Sequence, residues 1–393
     1  MKYSIVLGTQ FGDEGKGSMT SNLCSKTKNP LVIRFNGGHQ AGHTVLHNGI
    51  RHTFSTFGSG TLQNVPTFWS EYCTFYPTAV FNEWNKLNEL GIKPKLFVHP
   101  LSPVTTPYDV IANVIEENKN SHGSVGVGFG TTLKRHEAYY KLYFNDLFNK
   151  TILEGKLLNI RNYYKNIISN VYDEEFFSID HRARIENWLS NIQFLIENKI
   201  ITKEQPQFVK YDHLIFEGAQ GILLDQDFGF FPNVTRSNTT SKNAYAIIKN
   251  LKLPVSDVNI FYMTRPYQTR HGIGYMTNRN YPEPVLINTE NEINKNGGNQ
   301  GIFRKSILDL DLLKYAIETD DIFIERRYGV NKHIVITCLD QIVDKVKYTF
   351  DKTLYEKNTP ELIIDIINTT KITNLIYGKS ESKFTTNYSN VLV

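Results

Sequence analysis

The sequence predicts an α/β fold: one large domain built around a mostly parallel central sheet, with glycine-rich ligand loops at the C-terminal ends of its strands and a helical insertion. Three observations carry that reading. An apolar, β-branched run at Tyr3–Leu7 leads straight into a glycine-rich turn and a helical segment at Ser18–Ser25. A second apolar run, Leu31–Phe35, leads into a second glycine-rich stretch, Asn36–Thr44. Strand, polar loop, helix, strand, polar loop is how open α/β sheets place ligands at strand ends. Finally, 393 residues of ordinary apolar content can bury a large core.

Taken in order, the first turn is Gly8-Thr9-Gln10-Phe11-Gly12-Asp13-Glu14-Gly15-Lys16-Gly17-Ser18. Glycines between a strand and a helix let backbone N–H groups converge where the helix dipole favours an anion, and Lys16 adds a positive charge there. A plain tight turn does not need four glycines, a lysine and two carboxylates. The spacing is not that of the common phosphate loop, because Gln10 stands where its first glycine would be and Gly17 follows the lysine. Nor does Gly12-Asp13-Glu14-Gly15 have dinucleotide-fingerprint spacing. Asp13 is the informative oddity. A carboxylate among groups arranged for anions is repelled by phosphate unless it holds a metal or takes a proton from the substrate.

The second loop contains Gly37-Gly38-His39-Gln40-Ala41-Gly42-His43-Thr44. Two histidines four apart would share a helical face and bind zinc, but three glycines argue against a helix, and no third ligand is in sight. His39 reads as a hydrogen-bonded loop residue. His43, beside phosphate-binding backbone, reads as a group that stabilises charge on a transferring phosphoryl group or its attacking oxygen. Asp13 and His43 would then form an acid–base pair in differing environments.

Further along, Arg51–Val65 reads as loop and short strands, Lys95–His99 as a strand, and Thr106–Asn118 as a helix. A third glycine loop, His122–Gly130, follows. From Lys134 to Ile201, Tyr, Leu and Ile recur at three- and four-residue spacing, so this stretch is predicted to be a helical insertion packed on the sheet of a single 1–393 domain. Strand character returns at Leu214–Gly218, Val258–Met263, His333–Leu339 and Asn374–Tyr377, and Asn288–Gln300 is polar and Gly/Asn-rich.

Composition narrows the class. A net charge of +4 suits small anions but is too weak to argue for nucleic acid. The aromatic content, 22 Tyr and 24 Phe, argues against disorder. Cys24, Cys73 and Cys338 have no metal-type spacing and suit a reducing compartment, so a cytoplasmic location is expected. No apolar run approaches 18 residues and no signal peptide is evident, so no membrane partner is expected.

The motifs together carry a resemblance. GTQFGDEGKG, GGHQAGHT at 37–44 and FEGAQGILLDQDFGFFPNVTRSNTT at 216–240 closely resemble adenylosuccinate synthetases. The resemblance implies a ligase of purine biosynthesis that joins L-aspartate to C6 of IMP through a 6-phosphoryl intermediate, with GTP as donor, Mg²⁺ and a homodimer. It makes Asp13 the base at N1 and His43 the group that stabilises O6. Triphosphate contacts fall on Gly12, Asp13, Glu14, Gly15, Lys16, Gly17, Ser18, Gly42, His43, Thr44, Arg304, Cys338, Leu339, Asp340 and Gly378. Monophosphate contacts fall on Asp13, Lys16, Gln40, Ser124, Val125, Gln220 and Thr235. Aspartate contacts fall on Gly298, Asn299, Gln300, Gly301, Ile302, Phe303 and Arg304, and the metal on Asp13 and the Gly42 carbonyl.

Several positions depart from the family pattern. Gln40 replaces an asparagine, Val125 a phosphate-binding threonine, Ile302 an arginine that grips aspartate, and Cys338 the lysine that packs on guanine. The arginine that reaches a partner subunit's site aligns near Tyr139, with Lys134 and Arg135 as stand-ins; Lys305 or Arg270 are the stand-ins for Ile302. These changes cluster on substrate contacts. They leave ATP or dATP open as donors, and open a second acceptor reading, 2-aminoadenylosuccinate formation from (d)GMP. Members of the viral branch with that activity carry serine at the Asp13 position, so the aspartate favours IMP. A non-catalytic nucleotide-binding regulator would keep the glycine loops without needing Asp13 and His43 together.

Overall fold

The computed structural model describes residues 1–120, 125–168, 179–290, 292, 301–379 and 382–385. Strands are β1 Lys2–Gly8, β2 Pro30–Arg34, β3 His43–His47, β4 Ile50–Phe54, β5 Thr67–Trp69, β6 Leu96–Val98, β7 His213–Gly221, β8 Asp257–Thr264, β9 Tyr267–His271, β10 Phe303–Asp309, β11 Gly329–Ile336, β12 Val346–Phe350, β13 Thr353–Lys357, β14 Asn374–Lys379 and β15 Ser382–Thr385. Helices are α1 Lys16–Ser25, α2 Pro77–Glu89, α3 Pro107–Asn120, α4 Phe129–Glu137, α5 Lys150–Ile168, α6 Ile179–Glu197, α7 Lys242–Leu251, α8 Leu310–Asp321 and α9 Thr359–Thr370.

The main sheet runs β15-β14-β11-β8-β1-β7-β2-β5-β6. All neighbours are parallel except β15, which runs antiparallel to β14 at the edge. The α/β class with a mostly parallel sheet therefore stands as the sequence predicts. β1 lies inside, between β7 and β8, and both its faces are covered. Tyr3, Ile5 and Leu7 enter one core cluster and Val6 enters another, the two-residue alternation of a strand buried on both sides. That explains why Tyr3–Leu7 is apolar throughout instead of alternating with polar residues.

A second sheet, β13-β12-β10-β9, is not evident in the sequence. β9 follows β8 after a two-residue break at Arg265-Pro266, so the chain leaves the main sheet and immediately starts another. The antiparallel β9–β10 ribbon pairs Arg270 with Arg304 and stands over the C-terminal end of β1. A separate core, including Trp188, Leu195 and Phe144, fastens α2, α5 and α6 beside the β5–β6 edge. The stretch expected to be helical from Lys134 to Ile201 contains the end of α4, a 3₁₀ turn at Phe144–Phe148, α5 and α6.

The second glycine loop is shorter than expected, since His43 and Thr44 begin β3. β3 and β4 form a hairpin closed by Asn48 and Gly49, both with positive φ (48° and 81°). Asn-Gly is the two-residue turn that matches the twist of paired strands, so this hairpin was legible in the residues His47-Asn48-Gly49-Ile50. Its effect is to put His43 on a fixed strand.

Candidate active site

The loops at the C-terminal ends of β1, β2 and β7 open into one cavity of about 1030 Å³. Single small-molecule pockets run from roughly 300 to 1,000 Å³, so this volume suits more than one ligand at once. Asp13 and His43 both line it, as do Gly12, Gly15, Lys16 and Gly17 of the first loop.

The first loop is braced from within. Glu14 is fully buried; its Oε1 accepts from the backbone N–H of Gln10 and of Gly12, both at 3.0 Å, and its Oε2 accepts from Lys16 Nζ at 2.6 Å. Glu14 is thus turned into the loop and does not line the cavity; it shapes the turn and holds Lys16 in place. Gly15 caps α1 in the left-handed region (φ 85°) with no side-chain cap, so the first N–H groups of α1 are left for a ligand. Gly17 has no room for a side chain: a Cβ there would meet His43 Cβ and Ser59 Oγ at 2.9 Å. The missing side chain lets α1 approach His43.

Asp13 is itself in the left-handed region (φ 65°), a conformation few non-glycine residues adopt. Arg265 Nε donates to its backbone oxygen at 2.6 Å, and His271 Nε2 lies 3.5 Å from Oδ2. Burial raises the Asp13 carboxyl, but the His271 contact, the Arg265 charge and Lys16 outweigh it, and the carboxyl sits below its ordinary range. It is therefore ionised at neutral pH, the state a base needs.

His43 is oriented by a residue the motif reading did not single out. Its Nδ1 lies 2.8 Å from Glu217 Oε1, and Glu217, fully buried on β7, also accepts from Ser59 N at 3.1 Å and from Ser59 Oγ. A carboxylate at Nδ1 fixes the proton there and directs Nε2 the other way. Nε2 is buried and has no partner among the described residues. Burial lowers the His43 pKa, the Glu217 charge raises it, and Arg34 and Lys16 lower it again, for a net depression. Arg34 is wholly buried beneath this pair with its guanidinium over the Trp69 ring at 5.3 Å.

Other expected positions divide clearly. Ser18, Gln40, Gly42, Thr44, Val125, Gln220, Thr235 and Cys338 line the cavity. Gln220 has a positive φ of 63°; its Oε1 is 3.7 Å from where a Gly12 Cβ would be, so it reaches the loop from β7. Leu339, Asp340, Gly378, Gly301, Ile302, Phe303 and Arg304 are not among the lining residues; Ile302 is 65% exposed. Ser124, Gly298, Asn299 and Gln300 lie outside the described residues. Arg135 is corrected as a stand-in: it is fully buried and donates to Asp109 through Nε at 2.8 Å and Nη2 at 3.0 Å. Lys305 is also corrected, because strand alternation places it on the face opposite Arg304, whereas Arg270 lines the cavity. Tyr139 is 85% exposed. His271, Arg265 and Glu217 are functional candidates that spacing could not reveal, since each lies more than 170 residues from its partner in the sequence.

An anion-binding loop beside a carboxylate and an oriented imidazole is an arrangement suited to nucleotide-dependent phosphoryl chemistry. The adenylosuccinate synthetase family model matches residues 5–388, and the chain belongs to that family. It is 34% identical to the adenylosuccinate synthetase of Haemophilus influenzae strain Rd over 248 residues, 61% of this chain. That alignment spans 56% of the relative's length. The corresponding protein of Francisella philomiragia is 26% identical over 370 residues, 89% of this chain and 82% of its own. In fold, the chain is similar to the fully ligated adenylosuccinate synthetase from Plasmodium falciparum, with a TM-score of 0.73 at 17% identity, covering 96% and 97% of the two chains. It is also similar in fold to the succinoaminodeoxyadenylate synthetase of cyanophage S-2L bound to dGMP and dATP, with a TM-score of 0.59 at 14% identity over 96% and 92%. No described helix is long and apolar enough to cross a membrane.

Proposed function

We propose that this chain is a ligase that joins the amino group of L-aspartate to C6 of a purine nucleoside monophosphate, with IMP as the acceptor and a nucleoside triphosphate as phosphoryl donor. The observation that supports it is the meeting of Asp13, from the first glycine loop, and His43, from the start of β3, in one cavity beside Lys16 and the start of α1. A regulator that only bound nucleotide would have no use for that pair.

In this reading, ionised Asp13 takes the N1 proton and shifts electron density onto O6. O6 attacks the γ-phosphorus, and the bond to the diphosphate leaving group breaks. His43 faces O6 with Nε2, its orientation set by Glu217 at Nδ1. Burial, Arg34 and Lys16 keep it neutral in the empty site. It takes a solvent proton at Nε2 as negative charge gathers on O6, with the Glu217 charge supporting the imidazolium so formed. The amine of L-aspartate then attacks C6, the C6–O bond breaks, phosphate leaves, and the nitrogen gives up its extra proton. Lys16 and the first N–H groups of α1 hold the phosphates in line.

Mg²⁺ fits these residues. It binds through one or two protein oxygens and keeps waters and phosphate oxygens for the rest, and Asp13 and Gly42 line the cavity together while no group of three His, Cys, Asp or Glu ligands occurs among the described residues. When bound, it would neutralise charge on the donor phosphates. Homodimerisation and a cytoplasmic location belong to the same reading. Cys338 in place of a lysine leaves the base of the donor less constrained, so ATP and dATP stand beside GTP.

A phosphate-release panel tests the proposal: IMP, GMP, dGMP and XMP crossed with GTP, ATP and dATP, each with and without L-aspartate. Release is expected only when monophosphate, triphosphate and aspartate are all present, and fastest with IMP. Hydrolysis indifferent to monophosphate and aspartate would remove the ligase reading.

A further inference from the structure

We propose that Arg236 is the cation that binds the 5′-phosphate of the monophosphate acceptor, a role no motif assigns to it; the inference rests on the ligase reading for the identity of that acceptor. Three chain segments converge at this end of the cavity. Gly37 N donates to Ser237 Oγ at 3.1 Å, which ties the second glycine loop to the segment that carries Thr235 and Arg236. A Cβ on Gly38 would lie 2.9 Å from Gln40 Oε1 and 3.1 Å from the Phe129 ring, so the Gln40 amide sits beside the first residue of α4. The nearest neighbour to a Cβ on Gly130, the next residue of α4, is Arg236 Cδ at 3.8 Å. Gln40, Gly130, Thr235 and Arg236 all line the cavity.

Two features at this junction call for a ligand. Both polar atoms of the Gln40 amide are buried without a hydrogen-bond partner among the described residues, a state that is costly unless a ligand satisfies them. α4 begins after Gly128 in the left-handed region (φ 85°) with no side-chain cap, so its first N–H groups face outward unclaimed by a side chain.

A dianionic phosphate also needs positive charge beside the start of α4. Val125 has no polar group, and Arg135 is buried on Asp109. Lys134, a turn further along α4, pairs with Glu116 on α3 at 2.9 Å, a pair as exposed as that of Arg236, but it lies farther from the start of α4, where Arg236 Cδ is the neighbour of Gly130. Among the described residues Arg236 pairs with Glu137, through Nη1 at 3.1 Å, and both side chains are substantially exposed (46% and 68%). Exposed pairs of this kind contribute little, so a phosphate can take the guanidinium from Glu137. The planar fork of an arginine binds two phosphate oxygens at once. Glu137 thereby becomes a competitor that holds the arginine when no acceptor is bound.

Calorimetric titration of the full chain with IMP, inosine and triphosphate tests this without requiring turnover. Arg236→Ala should weaken IMP roughly 10- to 100-fold, the loss expected for a bidentate charge-assisted contact, with inosine and triphosphate unchanged. Arg236→Lys should fall between. Glu137→Gln should tighten IMP several-fold, a gain that a folding defect cannot imitate. Equal IMP affinity in wild type and Arg236→Ala, or equal losses for IMP and inosine, overturns the assignment even if the ligase reaction proceeds. A selective IMP loss in Arg236→Ala with no turnover in any mixture would instead keep the assignment and remove the ligase reading. Wild type that binds no monophosphate overturns both.

Discussion

Glu217→Gln tests the site at its least visible point. The substitution keeps the volume and leaves an oxygen to accept from His43 Nδ1, now at 2.8 Å from a carboxylate, but it removes the buried negative charge. It also turns an N–H₂ toward Ser59, whose backbone N–H at 3.1 Å now donates to the carboxylate, so one amide orientation pairs donor with donor. The structural cost is an exchanged charge-assisted hydrogen bond, about 1.5–3 kcal/mol. The catalytic cost should be larger than the binding cost, because a carboxylate behind an imidazole both fixes the tautomer and supports the cation formed during the reaction. Acid–base groups contribute roughly 10²- to 10⁴-fold, so kcat should fall on the order of 10²-fold or more, with KM for the triphosphate within about threefold. Steady-state kinetics with saturating IMP and L-aspartate, alongside a thermal melt to confirm folding, measures this. A folded Glu217→Gln enzyme with kcat near wild type would refute the claim that Glu217 orients His43 for reaction.

Asp13→Asn should abolish turnover while triphosphate binding survives within a few-fold, measured by calorimetry beside a phosphate-release assay, because the amide cannot take the N1 proton. Gly17→Ala should lower kcat at least tenfold, since its Cβ would meet His43 Cβ and Ser59 Oγ at 2.9 Å and overpacking of this kind costs about 1–3 kcal/mol; unchanged kinetics would show that the contact is slack. Arg304→Ala should raise KM for L-aspartate by roughly tenfold or more with little change in KM for IMP, and an unchanged value would remove it from the aspartate site. Asp320 provides a pH prediction unrelated to catalysis. Burial lifts its carboxyl to about 6, although Ser241 N and Tyr262 Oη donate to it at 2.6 and 2.8 Å. A raised carboxyl binds its proton more tightly in the folded state, so its stabilisation is present below about pH 4, is lost as pH climbs to about 6, and stays lost above. The difference amounts to about 3 kcal/mol, and Asp320→Asn should flatten the pH dependence of urea unfolding across that window; an equal slope in both proteins would refute it.

What the sequence made legible was governed by local constraints. The first loop could be read because backbone converging on an anion has to contain glycine, and because Asp13 makes little sense among anion-binding groups unless it works chemically. β1 could be read because a strand covered on both faces is apolar without alternation. Glu217 could not be read in the same way: inside Phe216-Glu217-Gly218 it looks like one acid in a strand, and its meaning comes from His43, 174 residues earlier. His271 and Arg265 reach Asp13 only because the chain changes sheets after β8. Arg135 misled for the opposite reason. Its neighbours Lys134 and Glu137 are exposed and suggest a polar helix face, but helical spacing turns Arg135 inward onto Asp109 and the Tyr164 hydroxyl completes that carboxylate's shell at 2.7 Å.

The distribution of charge explains how a cavity built for several anions stays folded while empty. Lys16, Lys134, Arg236 and Arg265 each rest on a carboxylate: Glu14, Glu116, Glu137 and Glu292. These pairs differ in burial, and that should decide which can change partners. Lys16 and Glu14 are both almost wholly buried, so separating them would strand a charge, and Lys16 must greet phosphate without leaving Glu14. Arg236 and Glu137 are exposed enough to separate at little cost. Arg270 and Arg304 follow neither pattern. They are cross-strand partners on β9 and β10, so their side chains share a face, and their hydrogen bonds go to the carbonyls of Asn233, Ile273, Gly274 and Tyr275, not to any carboxylate among the described residues. Burial and the neighbouring Arg304 charge hold Arg270 down at about 10. Two like charges placed opposite each other are a standing repulsion that an entering dicarboxylate would relieve. In the proposed ligase, Arg270 and Arg304 on the β9–β10 ribbon would supply the positive charge for L-aspartate that Ile302, next to the ribbon, does not.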